Sequence, residues 1–483
     1  AAFVTVDGNT INAAATGNSA STTTALSATN GTAQASVGNT QFNGNRIFGD
    51  TSESGVSLTS FGVTGSALSV TNNTISASAG ANNATNAVSA NVTNLITGPS
   101  SMSTATNAVI NGVSTAAQTN ANFGIASGQR NEAPVDVQAA NQVTTSISVD
   151  STGSLGTSSS SLTTTNNRIT ASTSGNRVAN TLSITATNLD TAGNAATQIG
   201  GIASLQVNDV VGRANAVIDF SGGNTNAGIQ FGNSLAQSTL TVSGNAVASA
   251  SLGNQAINLL SVSGGSLSSS APTVATGVTS AATSSVQNEF ALLNRQIDLA
   301  TVGRQAITNN GTVSIVQQTA LSVIDGSSLT VSSNRITAEA QNNTATNQAS
   351  LTGFSTLSSG AGLLNQQSSS TIANAEATGG GISVSAETST VASSSLTLTG
   401  NVVQALAVGS SAGNSVTVQA TNLSGNANLT ASGGITTLFS GGVLAAEADY
   451  NLVNDQSQTG SVTALASTPV RINLGDATTV NGG

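Results

Sequence analysis

The residues of this chain whose types and spacing could do chemistry are mostly amides. Asn73, Asn167, Asn245, Asn334 and Asn401 occupy one column of an internal repeat. Asn82, Asn176, Asn254 and Asn343 form a second column that becomes Ser410, and Asn86, Asn180, Asn258, Asn347 and Asn414 a third. A carboxamide donates and accepts hydrogen bonds but is neither acid, base nor nucleophile. Asparagines on the same parity as apolar residues point inward, where each must be hydrogen-bonded; a ladder between adjoining copies achieves that at about 1 kcal/mol net per bond. The competing reading is a turn asparagine chosen for left-handed φ. Neither reading is catalytic.

Other chemistries are poorly supplied. The chain has no Cys and no His, all nine of its basic residues are Arg, and it has one Tyr and one Met. Zinc, haem and iron–sulfur sites lose their usual ligands, and Ser–His–Asp, Cys–His and Schiff-base catalysis lose their base or amine. A sugar-cleaving enzyme needs clustered carboxylates. The acids here are mostly isolated, as at Asp150, Asp190 and Asp325, and the nearest grouping is Glu447, Asp449 and Asp455. The absence of Trp removes the usual sugar platforms. No EF-hand loop or calcium-binding nonapeptide occurs, so neither a specific calcium site nor any cofactor is expected. The Gly pairs 200–201, 222–223 and 379–380 read as bends rather than phosphate loops, since no helix start or Lys follows. We expect no enzyme.

The elements that must position the amides follow from composition and repeats. With 6% charged and 2% aromatic residues, a conventional globular core is not expected. Ser66, Ser160, Ser238, Ser327 and Ser394 each open a copy of the repeat, and a partial copy runs from Val4. These copies divide the chain into modules 1–65, 66–159, 160–237, 238–326, 327–393 and 394–483. Two residues after the first Asn column stand Ile75, Ile169, Val247, Ile336 and Val403, the core column.

Within one copy, Asn167, Ile169, Ala171 and Thr173 share one parity. After a shift at Ser174-Gly175, Asn176, Val178, Asn180, Leu182 and Ile184 share another, which describes two strands meeting at a corner. The polar residues between them point outward. Helical spacing occurs only in VQNEFALLNRQIDLA, where Phe290, Leu293 and Ile297 would share the face of a short helix. The column Ala77, Ala171, Ser249, Ala338 and Ala405 predicts walls too close for Leu or Phe. The expected class is all-β, a β-solenoid of short strands with a small-residue core and asparagine ladders or corners.

The strings GNRVAN from Gly175 and GNQAIN from Gly253, with alternating Ile, Ala and Val beside them, resemble repetitive secreted β-strand-repeat proteins of alphaproteobacterial surfaces, including the holdfast-attachment type. The resemblance covers the six repeat copies. It implies an extracellular structural or adhesive role in a cell-surface matrix and carries no catalytic residue.

A formal net charge of −10 disfavours nucleic acid, and no apolar run is long enough for a transmembrane helix. Ala1 reads as the residue following a removed segment, and the chain as secreted to the extracellular space or cell surface. Neither end reads as a polar cap. The opening residues Ala1, Ala2, Phe3, Val4, Thr5 and Val6 form a strand that could join a neighbour's sheet. The expected function is therefore a head-to-tail homopolymeric filament for adhesion, biofilm matrix or coating, with itself and cell-surface polysaccharide as partners. The alternative is a monomeric stalk or passenger displaying a carbohydrate- or ice-binding face.

Overall fold

The computed structural model describes residues 2–481 except 98–102, 111–112, 133–135, 142–144, 153–155, 192–197, 210, 219–226, 270–271, 273, 281, 300–302, 310, 318–321, 387, 426–429, 435–442 and 476–478. Among the described residues the chain is all-β, and no helix is long and apolar enough to cross a membrane. Six passes of the chain build five six-stranded parallel sheets and the parallel part of an eleven-stranded one. Every parallel array takes its strands in chain order, so residues far apart in sequence sit side by side. Partners in successive passes are 64, 94, 78, 89 and 67 residues apart.

One sheet pairs Phe3–Asp7, Ala67–Thr71, Ser161–Thr165, Thr239–Ser243, Ser328–Ser332 and Ser395–Thr399. The next holds long strands, among them Thr10–Ala33, Thr74–Thr97 and Arg168–Asp190. Short strands were expected, yet these run 23 or 24 residues. Pairing with the neighbouring pass continues across the corner, which is why the strand does not end there. At that corner Gly175 and Asn176 are both buried, and the inward parity changes as the sequence shift requires.

Segments between the repeat copies do two things. Some form the remaining parallel sheets. Others, Ser103–Ile110, Thr276–Ser280, Ala282–Val286, Thr430–Gly434 and Val443–Glu447, join the first part of Val113–Asn131 in an antiparallel layer. This layer packs through Ala117, Val278, Val286 and Ala431 onto Ala203, Leu205, Leu293 and Leu364 of the parallel sheet.

The covered sheet corrects two expectations. Phe290–Asp298, read as a short helix, is a strand buried along its whole length. Its apolar run is continuous because the interior lies on one face and the antiparallel layer on the other, so in/out alternation is lost. Gly200 and Gly201, read as a bend, lie inside the strand Gln198–Asn208. A Cβ on Gly201 would meet Thr276 Oγ1 at 2.7 Å, so glycine admits the layer here. The pair 379–380 does turn, with φ of 65° and 52°; the pair 222–223 lies outside the described residues.

The small-residue core holds only locally. Ala77, Ala171, Ser249 and Ala338 are buried, but Phe123, Phe231 and Phe290 are completely buried elsewhere. The interior has two apolar compartments, one around Ile75, Ile169 and Phe231, the other around Leu182, Phe123 and Phe290. Both are wide enough in places for an aromatic ring.

Candidate assembly faces and the amide ladders

Each residue of the first asparagine column sits just after a corner. Asn167 Nδ2 donates to Asn245 Oδ1 at 2.9 Å and to the Val70 carbonyl at 3.0 Å. Its own Oδ1 accepts from the Asn73 backbone N–H at 2.9 Å and from Asn73 Nδ2 at 3.0 Å. Asn9, Asn73, Asn167, Asn245, Asn334 and Asn401 repeat this pattern without a break. Left-handed backbone falls one residue earlier, at Gly8, Asn72, Asn166, Gly244, Ser333 and Gly400. The column asparagines are thus held for their side-chain bonds, while the preceding residue makes the turn.

The second column continues from Asn18 through Asn82, Asn176, Asn254 and Asn343 to Ser410. Each second amide hydrogen crosses the interior to a carbonyl of the opposite sheet, as from Asn176 to Val207 at 2.8 Å. The third runs from Asn86 through Asn180, Asn258 and Asn347 to Asn414. Its members meet Asn39, Asn294, Asn365 and Asn454 across the interior. The core column behaves as its neighbours do: Ile75, Ile169, Val247 and Ile336 are fully buried, and Val403, in the last pass, is half-buried.

Two further ladders escaped the sequence reading. Gln41, Gln129, Gln206, Gln296, Gln367 and Gln456 are linked amide to amide on the covered sheet. Each from Gln41 to Gln367 also donates to a carbonyl of the long-stranded sheet. The Gln shared by the weaker stretches between copies, as in QVNDVVGRANAVIDF from Gln206 and QIDLATVGRQAITNN from Gln296, was the available signal. At another corner the Ser66, Ser160, Ser238 and Ser327 backbone N–H groups donate to the serine hydroxyl one pass on, ending at Ser394. These serines are the first residues of the repeat copies.

The ladders have direction. In the three interior columns the asparagine amide nitrogens donate towards higher residue numbers, from Asn9 to Asn73 and onward to Asn401, whereas the exposed row of Asn188, Asn94 and Asn30 donates the other way. Glutamine nitrogens also donate towards lower numbers, from Gln456 back to Gln41.

The edges of all six parallel arrays gather at two ends. One is made of strands between residues 3 and 64, the other of strands between 395 and 481. Core columns stop abruptly there. Ile382 and Val384 are fully buried, whereas Val470 and Ile472, the next residues of the same columns, are 46% and 42% exposed. At the opposite end Val4, which continues the buried column of Leu68 and Leu162, is 44% exposed, and the outward-facing Phe3, Phe42 and Phe48 are exposed beside it. Of the candidate assembly strand, Ala1 lies outside the described residues. Phe3–Asp7 pairs with Ala67–Thr71 of its own chain, so it presents a sheet edge rather than a loose arm.

A few charged groups lie in the interior. Arg304 Nε lies 3.4 Å from Asp298 Oδ2, and both side chains are fully buried. Burial pushes the Arg295 guanidinium down to about 10 despite the charge of Asp455. Burial likewise raises Asp455 above the usual carboxylate range, against the Gln366 hydrogen bond and Arg295. Tyr450 is pushed up to about 12 by burial and by the Asp449 and Glu289 charges. Glu447 lies in the antiparallel layer and Asp455 in the covered sheet. Among the described residues no three His, Cys, Asp or Glu come together as a metal cluster would.

Two outer surfaces are regular. A groove of about 710 Å³ crosses five passes, lined by Asn83, Arg177, Gln255 and Thr344 and by the buried Val178 and Ala256. On the first sheet, Thr5, Ser69, Thr163, Thr241, Thr330 and Thr397 form one row of hydroxyls. No family model, curated protein or solved structure matches the chain.

Proposed function

We propose that this chain is the structural subunit of an extracellular, self-assembling filament, a β-solenoid whose stacked turns continue from one copy into the next. Its work is mechanical, in adhesion, biofilm matrix or surface coating, and its partner is a second copy joined head to tail. The carrying observation is the uncovered core at both ends: Val470 and Ile472 at one, and at the other Val4, which continues the buried column of Leu68 and Leu162, all on strands with an unpaired edge among the described residues. Repeat arrays that remain monomeric need polar capping units, and unpaired strand edges recruit further strands. Burying one such Val or Ile contributes about 1.5–3 kcal/mol. The extracellular placement rests on the repeat resemblance.

Negative-stain electron microscopy over a concentration series, followed by light scattering, tests this reading. Filaments with a regular axial repeat are expected, and rods of one chain length at every concentration overturn it.

A second reading has its own support. The hydroxyl row from Thr5 to Thr397 is flanked by Thr71, Thr165, Ser243, Ser332 and Thr399, a flat array that suits a monomeric stalk presenting a carbohydrate- or ice-binding face. Inhibition of ice recrystallisation, or retention on polysaccharide, that is lost in Thr163→Lys with Thr241→Lys would favour it.

A further inference from the structure

We propose that the amide ladders set the polarity and register of the joint between successive copies; this inference rests on the filament reading above. At the low-numbered end the ladders present Asn9 Oδ1 and Asn18 Oδ1 as the next acceptors and Gln41 Nε2 as the next donor. At the high-numbered end they present the Asn401 amide and the Ser410 hydroxyl as donors and Gln456 Oε1 as an acceptor.

Stacked head to tail and in register, Asn401 donates to Asn9, Ser410 to Asn18, and Gln41 back to Gln456. Every meeting is donor to acceptor, and each bond repeats one already made five times within the chain or, for Ser410, stands in for one. Two like ends would lay the strands antiparallel, so that no amide meets the partner that continues its own ladder and Asn9 and Asn18 find no asparagine donor opposite. A slip of one residue would turn the core columns outward and leave the amides facing apolar side chains. The two opposed ladders thus act as a directional code, continued at the correct joint and broken at the wrong one.

The chain has no cysteine, so single introduced thiols report the joint directly. Thr5 and Thr397 end the same row and become neighbours across the proposed joint. Thr5→Cys and Thr397→Cys are prepared as separate proteins, mixed under mild oxidation and run on a non-reducing gel. The mixture should yield about tenfold more disulfide dimer than either protein alone, because the bond needs Cα atoms within roughly 7 Å. A mixture of Phe3→Cys and Thr399→Cys, four residues out of register, should give none.

As much dimer from one variant alone as from the mixture overturns the polarity. Equal dimer from the displaced pair overturns the register. Filaments that form without the in-register dimer overturn the ladder joint and leave the filament reading standing. Absence of filaments from the unsubstituted chain overturns both.

Discussion

Asn167 donates its backbone N–H to Asn245 Oδ1 at 3.0 Å and its side-chain Nδ2 to the same oxygen at 2.9 Å. One carboxamide oxygen thereby closes a corner and links two passes of the chain. Asn167→Leu would leave the Asn73 N–H, the Asn73 amide and the Val70 carbonyl without their partner. It should cost about 3 kcal/mol. Thr170→Leu, at a half-buried position beside it, should stay within about 0.5 kcal/mol. Urea unfolding of both variants checks this, and equal midpoints would contradict it.

The glutamine ladder makes a charge-sensitive prediction. Gln206 Nε2 donates to Gln129 Oε1 at 2.9 Å and to the Gln255 carbonyl at 2.8 Å. Gln206→Glu places two oxygens where a donor is needed, and burial raises the new carboxyl's pKa above about 4.3. The penalty, about 3–5 kcal/mol, is fully present above that raised pKa and is relieved as pH falls through it. Melting curves from pH 7 to pH 4 should show the variant approaching the parent, whereas Gln206→Met should show a pH-independent loss.

The buried pair of Asp298 and Arg304 should be costly to break and cheap to replace. Asp298→Leu alone leaves a guanidinium in the interior and should cost about 3–5 kcal/mol. Adding Arg304→Met should recover most of that loss. A double-mutant cycle that finds simple additivity would show the two charges to be uncoupled.

Tyr450 should govern stability in alkali. Its hydroxyl is buried without a hydrogen-bond partner among the described residues, and its pKa stands near 12. A raised acid pKa means that the unfolded chain ionises first, near 10, so stability falls as pH rises from about 10 towards 12. Tyr450→Phe should abolish this tyrosine's part of the fall while leaving the melting temperature at pH 7 unchanged or slightly higher. Arg295, with its lowered value, works in the opposite direction over the same range and remains in both proteins.

The all-β architecture is legible in the sequence wherever one face of a strand meets the interior and the other meets solvent. Ile169, Ala171 and Thr173 alternate with Arg168, Thr170 and Ser172, and the parity change at Gly175 marks the corner. Under the antiparallel layer that signal disappears, which is why Phe290–Asp298 read as a helix and why Gln206 and Gln296 did not declare themselves a ladder. Asp298 and Arg304 meet because two sheets converge on them, and no spacing along the chain announces it. Serines such as Ser160 were visible as the start of each copy; their bond to the next pass depends on a corner that parity does not describe.

The antiparallel layer also changes how the array should come apart. Its strands connect Gln118 with Gly277 and Ser285 with Ser432, bridging parts of the chain that are not consecutive in the stack. A simple stack, coupled only between neighbours, frays from its ends one unit at a time. Here the layer is a splint, so fraying that starts at the last pass must also detach strands bound to the fourth, and through it the second. Loss of order then becomes a single concerted event, and the object behaves under heat or protease less like a spring uncoiling than like a braced beam that holds its shape until it fails.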